Sequence, residues 1–194
     1  MKKNICVFCS SSDVLDDIYY KAAKELAFTI AKNRQTLLFG GSNVGLMKQL
    51  AENVKDKGGY IIGVIPEKIK NMNLACEKVD ELIVTSDMHS RKAKLEKLAD
   101  GYIAMPGGFG TMDELFEVIT LKQLEYHNKP VVLLNINGFF NNLLNFYNTI
   151  YDQKFAKSEY KNLYYVTDNV IDAFDYIENY KDQKKVSKWY NTKF

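Results

Sequence analysis

Nine consecutive residues, Pro106-Gly107-Gly108-Phe109-Gly110-Thr111-Met112-Asp113-Glu114, carry the densest chemistry in the chain. Glycine fills three of the four positions from 107 to 110. Bare backbone of that kind lets a ligand approach closely, and a helix beginning there offers unpaired N–H groups to an anion such as a phosphate. Thr111 and Glu114 also have the spacing of a capping box, in which Thr caps the helix and Glu reaches back. Three glycines exceed what a turn needs, which favours a ligand-facing role. A phosphate-binding loop of the Gly-Lys-Ser/Thr kind is excluded because Gly110-Thr111 lacks the Lys, and a dinucleotide Gly-x-Gly-x-x-Gly would need glycine where Asp113 stands. A monophosphate fits the segment best.

Glu114 and Glu117 lie three apart on one helix face, with Thr120 continuing it. Paired carboxylates suit a reaction that passes through an oxocarbenium-like state, where negative charge stabilises a sugar cation and orients water. Their neighbours Leu115, Phe116, Val118 and Ile119 argue against an exposed acidic stripe. Upstream, Met88-His89-Ser90-Arg91-Lys92 opens another helix. Arg91 is one of only two arginines, the other being Arg34, among 26 basic residues. A planar guanidinium used so sparingly, at a helix start where the dipole disfavours cations, points to a fork onto a phosphate or a ribose hydroxyl. His89 reads as a packing or capping residue.

Two further segments could face a ligand. Cys9-Ser10-Ser11-Ser12-Asp13 follows an apolar run, with Ser11 its candidate contact. Gly40-Gly41-Ser42-Asn43-Val44-Gly45 is a second glycine turn, read either as structural or as ligand-facing through Gly41. It is not a nucleophile elbow, which would need Gly-x-Ser-x-Gly, and only two histidines, His89 and His127, are available to a Ser–His–Asp hydrolase. Cys6-Val7-Phe8-Cys9 has Cys-x-x-Cys spacing, but in a strand its thiols point to opposite faces, so the expectation is core packing and no metal. No lysine stands out for a pyridoxal Schiff base, and no cofactor is expected.

These residues need a frame. Apolar runs at Ile5–Cys9, Thr36–Phe39, Tyr60–Ile65, Glu81–Val84, Tyr102–Met105, Val131–Leu134 and Leu163–Val166 read as strands buried on both faces. Between them, helices are expected over Asp16–Lys32, Gly45–Lys57, Ser90–Ala99, Thr111–Glu125, Phe139–Gln153 and Asn169–Lys181. In the first, Tyr20, Ala23, Ala27 and Ile30 share one face. The alternation predicts an α/β fold with an open parallel sheet of about seven strands and helices on both faces. Ligands bind such sheets at the carboxyl ends of the strands, where all three glycine- or serine-rich segments fall. The reading is one catalytic domain over residues 1–180 and a polar tail over 181–194, whose lysines at 181, 184, 185 and 188 look solvated.

Of 194 residues, 46% are hydrophobic and 13% aromatic, ordinary for a globular domain and against disorder. The net charge of +2 disfavours a polybasic nucleic-acid binder. Three cysteines rule out a disulfide-built scaffold, and neither a signal-peptide core nor a membrane-length apolar run is present. A soluble, cytoplasmic protein without membrane or nucleic-acid partners is expected.

Met88-His89-Ser90-Arg91-Lys92 followed by Pro106–Glu114 resembles the LONELY GUY (LOG) family of cytokinin riboside 5′-monophosphate phosphoribohydrolases, relatives of which were once labelled possible lysine decarboxylases. The similarity runs from Ile5 to about Leu144 and includes Gly45-Leu46-Met47, Gly63-Val64-Ile65-Pro66, Gln123-Leu124 and Lys129-Pro130-Val131. The resemblance implies a Rossmann-like homodimer that hydrolyses the N-glycosidic bond of an adenine-type nucleoside 5′-monophosphate, giving free base and ribose 5-phosphate. Carried over by position, Arg91 and Glu114 match the family's catalytic pair. Lys92, Gly107 to Asp113 and Thr120 match its nucleotide-binding segment. The chain departs from the family pattern at Ser10, Ser42 and Lys48, where Gly is usual, and at Asn73, where an acidic residue often stands. A nucleotide-binding or sensing protein without turnover is the alternative.

Overall fold

The computed structural model describes residues 2–182 and Val186. Seven strands, β1 (Asn4–Phe8), β2 (Thr36–Phe39), β3 (Tyr60–Pro66), β4 (Glu81–Thr85), β5 (Gly101–Ala104), β6 (Val131–Leu134) and β7 (Tyr165–Thr167), form one sheet in the order β4-β3-β2-β1-β5-β6-β7. Every pairing is parallel. The chain starts in the middle, winds outward to β4, and returns to lay β5 against the other side of β1. The crevice of such a sheet opens where the winding reverses, between the loops that follow β1 and β5.

Alternate residues of β1 divide the core in two. Ile5, Val7 and Cys9 pack with α1 (Asp17–Lys32), α2 (Gly45–Asp56) and α7 (Val170–Glu178). Cys6 and Phe8 pack on the other face with α4 (Met88–Leu98), α5 (Phe109–Gln123) and residues of α6 (Asn141–Asp152). Two-sided burial is why these strands read as unbroken apolar runs rather than alternating ones. Cys6 and Cys9 are thus core residues on opposite faces, and burial raises both thiols far above their usual range. Among the described residues, no group of three or more His, Cys, Asp and Glu side chains has the geometry to hold a metal. No described helix is long and apolar enough to cross a membrane.

The expected face of α1 is present: Ala23, Ala27 and Ile30 are fully buried and Tyr20 packs against them. Several boundaries shift, and two matter for the site. Helix α4 begins at Met88 rather than Ser90, because Asp87 caps it by accepting the Ser90 N–H at 2.8 Å. Helix α5 begins at Phe109 rather than Thr111, with Gly108 in the cap position and no side-chain cap. The alternation also gave no sign of the one-turn helix α3 (Glu67–Lys70) or of the 3-10 turns at Ile136–Gly138 and Ser158–Leu163. The readings of Lys184, Lys185 and Lys188 as a solvated face lie outside the described residues.

Candidate active site

A cleft of about 350 Å³ opens at the carboxyl ends of β1, β2 and β3. Its polar wall holds Ser11, Ser42, Arg91, Thr111 and Glu114, and Gly108 to Gly110 form one rim. Its apolar wall includes Val44, Met47, Ile69, Leu74 and Met88.

Arg91 and Glu114 meet at the cleft floor. Arg91 Nη1 donates to Glu114 Oε1 at 2.6 Å, and Arg91 Nε donates to the Val64 carbonyl at 3.0 Å. Each residue is only 8% exposed. Such a pair is costly to desolvate, and removing either partner would strand a buried charge. Burial pushes the Glu114 carboxyl above the usual range, while the adjacent guanidinium pulls it back down. Glu114 Oε2 has no hydrogen-bond partner among the described residues, so the carboxylate keeps an acceptor for substrate or water. The guanidinium lies over Gly40, where an added Cβ would come within 2.2 Å of Arg91 Nη2. Glycine at 40 is therefore what admits the arginine.

The capping box whose spacing Thr111 and Glu114 share does not form. Glu114 turns to Arg91 instead of back to the helix end, and Thr111 is buried against Gly107 in the first turn of α5. With no side chain spent on the cap, the N–H groups of that first turn remain available to a ligand. Gly107 is demanded by packing, since a Cβ there would lie 2.7 Å from Thr111 Cβ. Gly108 and Gly110 are not: a Cβ at either would meet nothing within 4 Å. Packing leaves their glycines unexplained, whereas access to the helix N-terminus explains both.

The other anticipated residues separate into those the fold gathers and those it does not. Ser11 lines the cleft, but Gly41 does not; its neighbour Gly40 does. Gly41 adopts φ +73°, and its carbonyl accepts the Cys76 N–H at 2.9 Å, so its part is to turn the chain. Lys92, Asp113 and Glu117 lie off the cleft, joined to one another: Lys92 Nζ is 3.0 Å from Asp113 Oδ2 and 2.9 Å from Glu117 Oε2. Met112, on α5 itself, packs against the core, and Thr120 is exposed nearly two turns beyond Glu114. His89 is exposed and neither packs nor caps; Asp87 does the capping, and the donated hydrogen bonds, from Ser90 N–H first, hold its carboxyl down at about 2.

Two of the departures find structural roles. Ser10 Oγ accepts the Ser12 N–H at 3.0 Å and its carbonyl accepts the Leu46 N–H, shaping the β1 loop against α2. Ser42 is bridged to Ala75 and keeps the second turn beside the cleft. Asn73 takes φ +59° in the exposed loop after α3, off the cleft, while Leu74 beside it lines the apolar wall. That wall was missed by sequence reasoning, because Val44, Ile69 and Leu74 look like ordinary core residues until the loops fold over.

Comparison with known proteins adds to this geometry. Residues 47–177 match a family model described as "Possible lysine decarboxylase". The chain is 39% identical to cytokinin riboside 5′-monophosphate phosphoribohydrolase LOG2 of Arabidopsis thaliana, with 98% of this chain and 91% of that protein covered. It is 38% identical to LOG5 of the same plant, over 92% of this chain and 78% of that one. Among solved structures, a molybdenum cofactor binding protein from Rippkaea orientalis superposes with a TM-score of 0.72 at 26% identity, covering 92% of this chain and 96% of that chain.

Proposed function

The chain belongs to the LONELY GUY (LOG) family, and we propose that it hydrolyses the N-glycosidic bond of adenine-type nucleoside 5′-monophosphates. Water adds to the anomeric carbon, the carbon–nitrogen bond breaks, and the products are free base and ribose 5-phosphate. The observation that carries this reading is the buried Arg91–Glu114 pair facing a cleft whose rim is an uncapped helix N-terminus. The first-turn N–H groups of α5, with Gly108 and Gly110 giving them room, hold the 5′-phosphate. Glu114 supplies negative charge where the ribosyl cation develops and orients the attacking water through Oε2. Arg91 fixes the carboxylate's direction and favours its ionised form against the cost of burial. Val44, Met47, Ile69, Leu74 and Met88 give the base an apolar wall that suits a prenyl substituent as well as plain adenine.

The protein acts as a homodimer in this reading. Phe116, Phe139 and Phe146, on and beside α5 and α6, are 41%, 44% and 58% exposed, and a second copy is the natural cover for them. Three unbridged, buried thiols suit the reducing cytoplasm. A binding role without turnover is the second reading, favoured by the fold's likeness to a protein named for binding a cofactor. Incubating the purified protein with AMP and with isopentenyl-AMP, and following free base and ribose 5-phosphate by chromatography, separates the two. Base release supports the hydrolase and ranks its substrates; tight nucleotide binding without release supports the binding protein.

A further inference from the structure

Lys92 adjoins Arg91 in sequence, yet its side chain lies outside the cleft and reaches α5 at Asp113 and Glu117. Its ammonium contacts Asp113 Oδ1 at 3.2 Å, Asp113 Oδ2 at 3.0 Å and Glu117 Oε2 at 2.9 Å, and its side chain is only 13% exposed. Asp113 and Glu117 bracket Glu114 on α5. One cation on α4 therefore grips the helix turn immediately before and after the reacting carboxylate, while Arg91, the residue before it, grips the carboxylate itself.

We propose that Lys92 is a positioning residue: through Asp113 and Glu117 it locks the turn of α5 that carries Glu114 and offsets the negative charge around it, without touching the substrate. This rests on the hydrolase reading above. Arg91 bonds Glu114 directly, Asp113 precedes it on α5, and Lys92 and Glu96 from α4 and Glu117 from α5 line one small cavity with it, while burial keeps the thiols of Cys6 and Cys9 neutral. With Lys92 present the count is two cations against three carboxylates besides Glu114 itself. Without it, Arg91 stands alone against Asp113, Glu117 and Glu96, and Glu114 takes a proton more readily. The Lys92 charge favours ionised Glu114 and the Asp113 charge opposes it, in line with this arrangement.

The test is the pH profile of kcat and the KM of Lys92→Met, Lys92→Arg and Lys92→Met/Glu117→Gln with AMP as substrate, each checked for an unchanged circular dichroism spectrum. We expect Lys92→Met to lose about tenfold in kcat at neutral pH with KM within about twofold, because the interaction lost is one that serves the transition state. The acid limb of its profile should move to higher pH. Lys92→Arg should recover most of the rate, and the double variant should return the acid limb toward its original place by removing the uncompensated carboxylate. A large rise in KM with kcat intact would overturn the proposal and make Lys92 a substrate contact. So would a lower kcat with an unmoved acid limb. No base release by the unsubstituted protein would instead overturn the hydrolase reading, and this inference with it.

Discussion

At the scale of single residues, the buried Arg91–Glu114 pair depends on an absence of atoms as much as on its charges. Arg91 lies where a side chain at position 40 would be, so Gly40→Ala should push the guanidinium off Glu114 without any change to a charged group. We expect a loss of about 10²-fold in turnover, the scale at which misplaced catalytic groups fail, together with a lower melting temperature, because the separated charges stay buried without each other. Steady-state kinetics beside a thermal melt would check both halves. Arg91→Lys should be nearly as damaging, since an ammonium cannot reach Val64 and Glu114 together as the planar fork does. That Arg91 and Glu114 would face one cleft was legible from types and spacing: a scarce guanidinium at an unfavourable helix end, and a carboxylate set among apolar neighbours. Gly40 was not distinguishable from Gly41, because which of two adjacent glycines faces the cleft depends on where the tertiary contact from Arg91 falls.

In the proposed account, the start of helix α5 is left uncapped for a ligand at the expense of the helix's own stability. Gly110 sits in the first turn with nothing within 4 Å of where a Cβ would project, and glycine costs a helix about 1 kcal/mol relative to alanine. Gly110→Ala should therefore raise the melting temperature by a few degrees while raising KM for the monophosphate severalfold. A neutral or improved KM would remove the phosphate from this rim. The sheet and its helices were legible because burial on both faces writes continuous apolar runs into the strands. The start of α5 was not, for Thr111 and Glu114 offer a local capping pattern that a buried ion pair across two helices overrides. The start of α4 was hidden similarly: Asp87 caps it, but the alternation of apolar runs alone placed the boundary later.

For the molecule as a whole, burial of ionisable groups away from the cleft sets how stability responds to pH. His127 Nε2 donates to the Val118 carbonyl and its Nδ1 accepts the Lys129 N–H, a neutral tautomer tying α5 to the approach of β6. Burial lowers its pKa from 6.5 to about 4. The unfolded chain then binds the proton first, so this group's stabilisation is complete above about pH 6.5 and is lost as pH falls toward 4. A melting series across that window should show a steeper decline for the unsubstituted protein than for His127→Gln. Lys122 carries the opposite lesson at neutral pH. Its buried ammonium has no hydrogen-bond partner among the described residues and rests 4.6 Å from the Tyr180 ring centroid, with burial lowering its pKa to about 8. At pH 7 the ammonium is still mostly charged and burial penalises that charge, so Lys122→Met should raise the melting temperature. The central claim, though, is that the negative charge of Glu114 serves the transition state rather than substrate binding or the fold. The measurement that bears on it most directly is Glu114→Gln, with kcat for AMP and the dissociation constant for AMP determined on the same preparation. The account expects kcat to fall by about 10³-fold or more while affinity changes by less than about tenfold. Full turnover in that variant, or a loss confined to nucleotide affinity, would contradict it.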